Sequence, residues 1–334
     1  MKSSMILRVI HYDIIYQARF HLTIKNNYNQ MKKFLVILPL LLLSFACKFE
    51  NKKERLKPKI VATTSILADG IRNIVGEYAD VVSLMPAGVD PHLYKASVRD
   101  LDLLQNADLV IYHGLFLEGK MTEIFEKLAF SQNLINVSEN IPHELLLRSG
   151  PEAHSVDPHI WFDVSLWSLA LTHASDEIIK WQPEWKSAVS TNTESYLAHL
   201  SLVHQDNITK VAELRKANQA LITAHDAFSY FGKAYNLEVL GLQGLSTLSE
   251  PGLRDLTGLV SFIVERNIPA VFAEQTISPK AIEAVVAGCA NQNHEIKLAG
   301  PLYTDSLGAP DSPAGTYIGM VRTNVQVIFE SLTQ

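Results

Sequence analysis

Two Asp-Pro-His sequences are the most distinctive chemical feature of this 334-residue chain, which contains 12 histidines in all. They occupy residues 90–92 and 157–159. Imidazole nitrogens bind transition metals, and a ligating histidine usually donates its second ring N–H to a carboxylate or a carbonyl group. Proline restrains the backbone before each histidine, and Asp90 and Asp157 each supply a carboxylate that can hold the tautomer. The pattern therefore favours a metal site that contains both histidines.

Two later segments also place a metal-capable side chain just after a predicted strand or in a loop. The segment TAHDAF contains His225, followed by Asp226, and the segment YTDSLG contains Asp305. A lone histidine is more often a core or surface residue, and Asp305 alone could simply cap a turn. From the residues alone, His225 and Asp305 are candidate ligands, and Asp226 could support the neighbouring ring. His113, which follows another predicted strand, is a competing candidate.

Short β-rich runs alternate with helical patterns from Ile60 onward, which predicts an α/β fold with parallel sheets flanked by helices. Such sheets would carry the metal-capable segments at the ends of their strands. Helical patterns fall between the runs, for example at residues 98–105, 253–266 and 279–291, and a further helix closes the chain. The predicted strands are KIVATTS, VVSLMP, ADLVIYH and NLINV in the first half, and QALITAH, LEVLGL, PAVFAEQ and EIKLAG in the second.

Residues 183–217 contain no glycine and carry an apolar stripe at helical spacing, which predicts one helix about 50 Å long. It could be a coiled-coil arm, but an amphipathic helix laid across two α/β lobes fits the pattern better. The predicted division is an N-terminal lobe at 60–182, a linking helix at 183–217 and a C-terminal lobe at 218–334. The stripe consists of Val189, Tyr196, Leu200, Val203, Val211 and Leu214.

The N-terminus has the pattern of an export signal. Residues 31–46 join a basic start to a short apolar run that ends in a small residue, and Cys47 follows. This resembles a bacterial lipoprotein signal and predicts lipidation of Cys47, with a plain signal peptide as the alternative. Residues 1–30 fit neither a signal nor a domain, so translation is expected to begin after them. Residues 47–59 are charged and predict a solvated tether.

Charge and motif content argue against several classes of function. The net charge is −6, and residues 47–334 carry 23 basic and 34 acidic side chains, a balance that repels nucleic acid and attracts cations. Two cysteines are too few for a disulfide scaffold. The sequence has no HExxH motif, nucleophile elbow or phosphate-binding glycine loop. Glu118, Glu250 and Glu274 lie near the ends of predicted strands or in adjoining loops, and we interpret them as supporting or structural residues rather than catalytic bases. We expect a binding protein, not an enzyme.

The motif segments together resemble one protein family along the whole chain from Ile60. The run GVDPHLYKASVRDLDLLQNADLVIYHGLFLE is similar to the signature of substrate-binding proteins of zinc/manganese ABC transporters, the cluster A-I metal-binding proteins. DPHIWFD, TAHDAFSYF and LYTDSLG resemble the family's other three ligand segments, in the same order. The resemblance implies two α/β lobes joined by one long rigid helix, with the metal between the lobes. It implies His92 and His159 as ligands from the first lobe, and His225 and Asp305 from the second.

The resemblance also implies a cargo, a partner and a location. One Zn²⁺ or Mn²⁺ per chain would be captured by a periplasmic or cell-surface lipoprotein and passed to an ABC permease for import. Three imidazoles and one carboxylate complete a four-coordinate shell, which suits zinc and leaves no open position for a catalytic water.

The resemblance leaves the choice of metal open. Manganese-dedicated family members often carry glutamate where this chain has His225, whereas zinc-dedicated members often carry a His-rich loop that is missing between residues 93 and 158. Zinc is favoured and manganese stays open. The alternative function is a surface adhesin or interaction protein in which the metal is structural.

Overall fold

The computed structural model describes residues 57–149, 155–216 and 220–333. The expected start region, the signal segment, Cys47 and most of the charged tether lie outside these residues, so the predictions about them stay predictions. None of the helices in the described residues combines the length and the apolar character that a membrane crossing needs.

Two parallel four-stranded sheets confirm the predicted α/β architecture. The first sheet has the order β2-β1-β3-β4 and the second has the order β10-β9-β7-β8, so the chain visits the strands of both sheets in the same sequence. A short antiparallel pair, β5 and β6, lies between them in the chain. The strands are β1 (Lys59–Ala62), β2 (Asp80–Ser83), β3 (Leu109–Tyr112), β4 (Leu134–Asn136), β5 (Arg148–Ser149), β6 (Ser155–Val156), β7 (Ala220–His225), β8 (Glu238–Gln243), β9 (Ala270–Glu274) and β10 (Lys297–Leu302).

Helices cover both faces of the sheets, which is why the central strands read as nearly unbroken apolar runs. All six residues of β7 are buried, for example. In each sheet the strand order reverses beside the strand that comes first in the chain, which is β1 in the first sheet and β7 in the second. Ligands of such folds bind at the carboxyl ends of the strands near that point. The helices of the described residues are α1 (Ser65–Val75), α2 (Val98–Gln105), α3 (Thr122–Leu128), α4 (Val164–Trp181), α5 (Lys186–Lys216), α6 (Ser229–Tyr235), α7 (Leu253–Arg266), α8 (Lys280–Ala290) and α9 (Tyr317–Leu332).

Helix α5 is the long linking helix, and it buries the predicted apolar stripe. All six stripe side chains are at most 6% exposed. The two wider gaps in the stripe hold buried polar residues: Thr193 Oγ1 lies 2.9 Å from Ser175 Oγ on α4, and Asn207 Nδ2 donates to the Tyr235 hydroxyl on α6 at 3.2 Å. The stripe therefore continues at separations of three and four residues. The helix packs on α1 and α4 before it and on α6 and α9 after it, which confirms a helix laid across both lobes and not a projecting arm.

One buried core joins the part before α5, here called the first lobe, to the part after it, the second lobe. Trp161 Nε1 donates to the Thr304 carbonyl at 2.9 Å, and the Tyr317 hydroxyl donates to the Trp161 carbonyl at 2.7 Å. The backbone N–H of Tyr317 also donates to Asp69 at 3.0 Å. Movement of one lobe against the other would break these buried contacts. The exact residue boundaries of the lobes stay a prediction.

We expect Leu200→Ala to lower the free energy of unfolding by about 2–5 kcal/mol, because it removes a fully buried side chain from the stripe of α5. Urea unfolding followed by circular dichroism measures the change. Leu202 lies on the same helix and is 61% exposed, so Leu202→Ala is the matched control and should change stability by less than about 0.5 kcal/mol. Equal losses in both variants would show that α5 buries a different face.

Candidate metal centre

The four candidate ligands lie together at the carboxyl ends of the two sheets. His225 is the last residue of β7, and Asp305 follows β10. His92 follows β2, and His159 precedes α4. All four side chains are buried, at 5% exposure or less, and their donor atoms lie within 4.8 Å of one another. The group could therefore hold one metal ion.

The same turn presents His92 and His159. In each Asp-Pro-His sequence an aspartate oxygen accepts the backbone N–H of the histidine, at 2.8 Å for Asp90 and 2.9 Å for Asp157. The intervening proline has no N–H and a restricted φ, so the aspartate side chain closes the turn across it. The repeated tripeptide is thus a local structure that aims an imidazole ring.

Carboxylates hold the rings of His159 and His225. Nδ1 of His159 donates to Asp157 Oδ1 at 2.7 Å, and Nδ1 of His225 donates to Glu274 Oε2 at 2.5 Å. The second oxygen of Glu274 accepts the backbone N–H of His225 at 2.8 Å. Because Nδ1 is engaged in both rings, Nε2 of each ring faces the centre of the group.

Asp226 does not take the supporting position expected beside His225. Its carboxylate accepts the Ser229 hydroxyl at 2.5 Å. Glu274 supports the ring instead, because β9 pairs with β7 and the two strands end side by side. The sequence signal for this role was a glutamate at the end of a predicted strand, which by itself does not indicate which histidine it meets.

Asp90 also differs from its expected role of supporting a ring. One of its oxygens accepts the backbone N–H of His92, and the other accepts the Thr247 hydroxyl at 2.6 Å. In the described part of the chain no hydrogen bond joins Asp90 to the His92 ring. Asp90 therefore orients the backbone of this loop and does not fix the tautomer of the His92 ring.

His113 is buried near the site but outside the group of four. Its Nε2 lies 2.7 Å from the Pro158 carbonyl, and its ring packs edge-on against Trp161, with the ring centroids 4.9 Å apart. Burial lowers the pKa of His113 to about 3, so the ring is neutral near pH 7. His113 supports the loop that carries His159.

The four donor atoms lie within 4.8 Å of one another, and three of the separations between them are close to those of ligands that share one ion. Nε2 of His159 lies 3.3 Å from Nε2 of His92 and 3.5 Å from Asp305 Oδ1, and Nε2 of His225 lies 3.6 Å from Asp305 Oδ2. At zinc bond lengths of about 2.0–2.1 Å, tetrahedral ligands lie about 3.3–3.4 Å apart. Among the described residues, both Asp305 oxygens and His225 Nε2 are buried without a hydrogen-bond partner. Such burial is costly, and a bound cation would relieve it.

Burial and nearby charge act differently on the rings of the first lobe. Burial lowers the pKa of His92 to about 3, which keeps its imidazole neutral. Burial also lowers the pKa of His159, but the carboxylates of Asp157 and Asp305 outweigh it and raise the pKa to about 10. A proton on His159 therefore balances the carboxylates when no metal is bound.

The ligands of the second lobe follow the same logic. Burial lowers the pKa of His225, but the carboxylates of Glu274 and Asp305 raise it above its ordinary value. Burial raises the pKa of Asp305, but the neighbouring imidazoles, His225 first, hold it well below its usual range. Asp305 is therefore an anion, and a divalent cation at the centre would replace the positive charge that protons otherwise supply.

Comparison with known proteins identifies relatives along most of the chain. The family profile of the zinc-uptake complex component A, periplasmic (ZnuA), matches residues 60–331. The chain is 41% identical over 274 residues to the manganese-binding lipoprotein MntA of Bacillus subtilis (strain 168), which covers 82% of this chain and 89% of that protein. It is 38% identical over 278 residues to the zinc-binding protein TroA of Treponema pallidum (strain Nichols), which covers 83% of this chain and 90% of that protein.

The fold is similar to a solved structure as well. The periplasmic zinc binding protein TroA from Treponema pallidum matches with a TM-score of 0.80 and 38% sequence identity. The match covers 83% of this chain and 100% of that chain. The architecture of two sheets joined by a long helix is therefore shared over the full length of that protein.

We expect Glu274→Gln to weaken zinc binding by about 10–100-fold, the usual loss when a carboxylate that supports a ligating histidine is changed. The two oxygens of Glu274 accept from two separate donors of His225, so a glutamine would turn its NH₂ group toward one of them. Asp157→Asn should weaken binding less, because one Asp157 oxygen accepts both hydrogen bonds of His159. Competition with a chromophoric chelator measures each affinity.

The matched control for these variants is Asp226→Asn, which alters the chain neighbour of His225 while leaving Glu274 in place. Its carboxylate contacts Ser229, so zinc affinity should stay close to that of the unmodified protein. If Asp226→Asn weakened binding as much as Glu274→Gln, the support of the His225 ring would have been assigned to the wrong carboxylate.

Proposed function

Because the chain belongs to the ZnuA family of periplasmic zinc-uptake components, we propose that it is the metal-binding component of an ABC importer. It captures one Zn²⁺ or Mn²⁺ outside the cytoplasmic membrane and delivers the ion to the membrane permease of the transporter. The ligands of the ion are His92, His159, His225 and Asp305.

One observation carries this proposal: three imidazoles and one carboxylate, buried between two lobes, converge within 4.8 Å. The unpartnered Asp305 oxygens and the carboxylates behind His159 and His225 give the centre a net demand for positive charge. The relatives support the same reading, since one is named a manganese-binding lipoprotein and another a zinc-binding protein.

Zinc is the favoured ion on chemical grounds. Three nitrogen ligands and one carboxylate suit Zn²⁺, whereas Mn²⁺ prefers more oxygen ligands and a higher coordination number. Manganese becomes possible if Asp305 binds through both oxygens, each of which faces a different imidazole at 3.5 and 3.6 Å.

The ion is cargo rather than a catalytic or structural group. Four protein donors fill a tetrahedral shell, while catalytic zinc keeps a position open for water. Each lobe has its own sheet, and the core that joins the lobes is built from apolar side chains. The fold therefore does not depend on the metal. The adhesin alternative, in which the metal is structural, would require that it does.

We expect the purified protein to bind about one zinc per chain from a buffer with equal free Zn²⁺ and Mn²⁺, because its donor set is rich in nitrogen. Native mass spectrometry gives the metal and its stoichiometry. His159→Ala should abolish stoichiometric binding. His204→Ala, which removes a histidine of α5 that contacts Tyr235, should leave it intact. About one manganese would reverse the choice of ion, and no bound metal would overturn the proposal.

The same preparation separates cargo from structural metal. After chelation the protein should keep its folded far-ultraviolet circular dichroism spectrum and melt cooperatively, and added metal should raise the Tm because it binds only the folded state. Unfolding upon chelation would instead support the adhesin alternative.

Export and anchoring complete the proposal. Cys47, at the end of the signal-like segment, carries the lipid that holds the protein at the membrane beside its permease. The relative from Bacillus subtilis is named a lipoprotein, which supports this assignment. A membrane-held receptor keeps its cargo within reach of the permease.

We expect Cys47→Ala to move the protein from the detergent-rich phase to the aqueous phase in detergent phase partitioning, because it removes the acylated thiol. The control is Cys289→Ala, which changes the chain's other cysteine, a buried residue of α8, and should leave partitioning unchanged. Aqueous partitioning of the unmodified protein would contradict lipidation.

A further inference from the structure

A cavity of about 650 Å³ opens beside the metal centre. Among the four candidate ligands, His92 is the one that lines it, and His92 is also the most exposed of the four, at 5%. Within the four candidate ligands, His92 is therefore the one that connects this cavity to the centre. The first-lobe wall includes Leu115 and Phe116, and the second-lobe wall includes Leu245, Ser246 and Leu248.

The second-lobe wall is the loop that follows β8. Its residue Thr247 donates a hydrogen bond to Asp90 Oδ2 at 2.6 Å. The other oxygen of Asp90 accepts the backbone N–H of His92 at 2.8 Å. A single carboxylate thus ties the cavity wall of one lobe to the ligand loop of the other.

The loop after β8 is held to the first lobe by fewer contacts than the rest of the junction between the lobes. The lobes share a buried core, and α5 packs on both, so wide opening would break many contacts. By contrast, in the described residues the Thr247–Asp90 bond is the only hydrogen bond between residues 244–250 and the first lobe. Leu248 in this loop is 51% exposed. Movement of the loop alone requires the loss of one hydrogen bond and little buried area.

We propose that Thr247 is a positioning residue whose hydrogen bond to Asp90 latches the loop after β8 over His92 and sets how long the ion stays bound. This inference rests on the proposed metal-binding function and adds the element that controls release. When the bond is intact, Asp90 holds His92 and closes the wall of the cavity. When it breaks, the wall and the ligand loop move independently.

The test is the rate at which the zinc-loaded protein loses its ion to an excess of chromophoric chelator in a stopped-flow instrument. Thr247→Val keeps the shape of the side chain and removes the hydroxyl, so zinc loss should be about ten-fold faster, as expected for one hydrogen bond to a charged acceptor. Thr247→Ser restores the hydroxyl and should return the rate to nearly that of the unmodified protein. Thr257→Val, which removes an exposed hydroxyl of α7, is the matched control.

A double-mutant cycle shows whether Thr247 acts through Asp90. In an Asp90→Ala background, Thr247→Val should cause no further increase in the rate. Additive effects would overturn the proposal, as would an unchanged rate in Thr247→Val or a serine variant as fast as the valine variant. Urea unfolding of the metal-free variants should show equal midpoints, which excludes general destabilisation. If the unmodified protein bound no zinc, the proposed function itself would fail, a result distinct from failure of the latch.

Discussion

The four candidate ligands come from both lobes, so the candidate metal centre forms only while the two lobes keep a fixed separation. Metal–ligand distances tolerate deviations of only about 0.2 Å, so donor atoms from two lobes that lie within 4.8 Å of one another require lobes held in a fixed position. Helix α5 and the shared core supply the necessary rigidity. Tyr317 illustrates this, since its backbone and hydroxyl bind Asp69 and Trp161 on the opposite lobe. The contacts between the lobes therefore set the separation on which the candidate metal centre depends.

Electrostatics indicates how either protons or a metal ion can balance the charge of this buried cluster. Asp157, Glu274 and Asp305 are buried carboxylates that water cannot stabilise. Without metal, protons on His159 and His225 offset their charge, as the raised pKa values of these rings indicate. A divalent cation supplies the same compensation from the centre. Proton and metal compete for the same nitrogens, and the surrounding carboxylates favour either form of positive charge over an empty cluster with neutral imidazoles, which would carry a net negative charge.

Capture and delivery place opposite demands on such a site. Capture favours a closed shell whose rings are held in place, as Asp157 and Glu274 hold the rings of His159 and His225. Delivery requires a part that can move without unfolding the rest. A rigid junction and a loosely attached cavity wall divide these tasks between different parts of the molecule. The loop after β8 can respond to a partner while the core that sets the ligand spacing stays unchanged.

Much of this molecule follows from local sequence. The Asp-Pro-His turn depends on two residues that flank one proline, and the stripe of α5 depends on helical periodicity, so both were predictable along with all eight strands of the two sheets. The polar residues that fill the stripe, Thr193 and Asn207, were hidden because their burial depends on partners in α4 and α6.

Only the tertiary structure decided which carboxylate supports His225. Adjacency in the chain favoured Asp226, but sheet pairing brings Glu274 to the ring from 49 residues away. Thr247 and Asp90, 157 residues apart, meet because the two lobes dock against each other. The four candidate ligands were therefore predictable from local motifs together with the family resemblance. The contacts that orient the candidate ligands and control release of the ion arise from strand order and lobe docking. Neither leaves a periodic or local signal in the sequence.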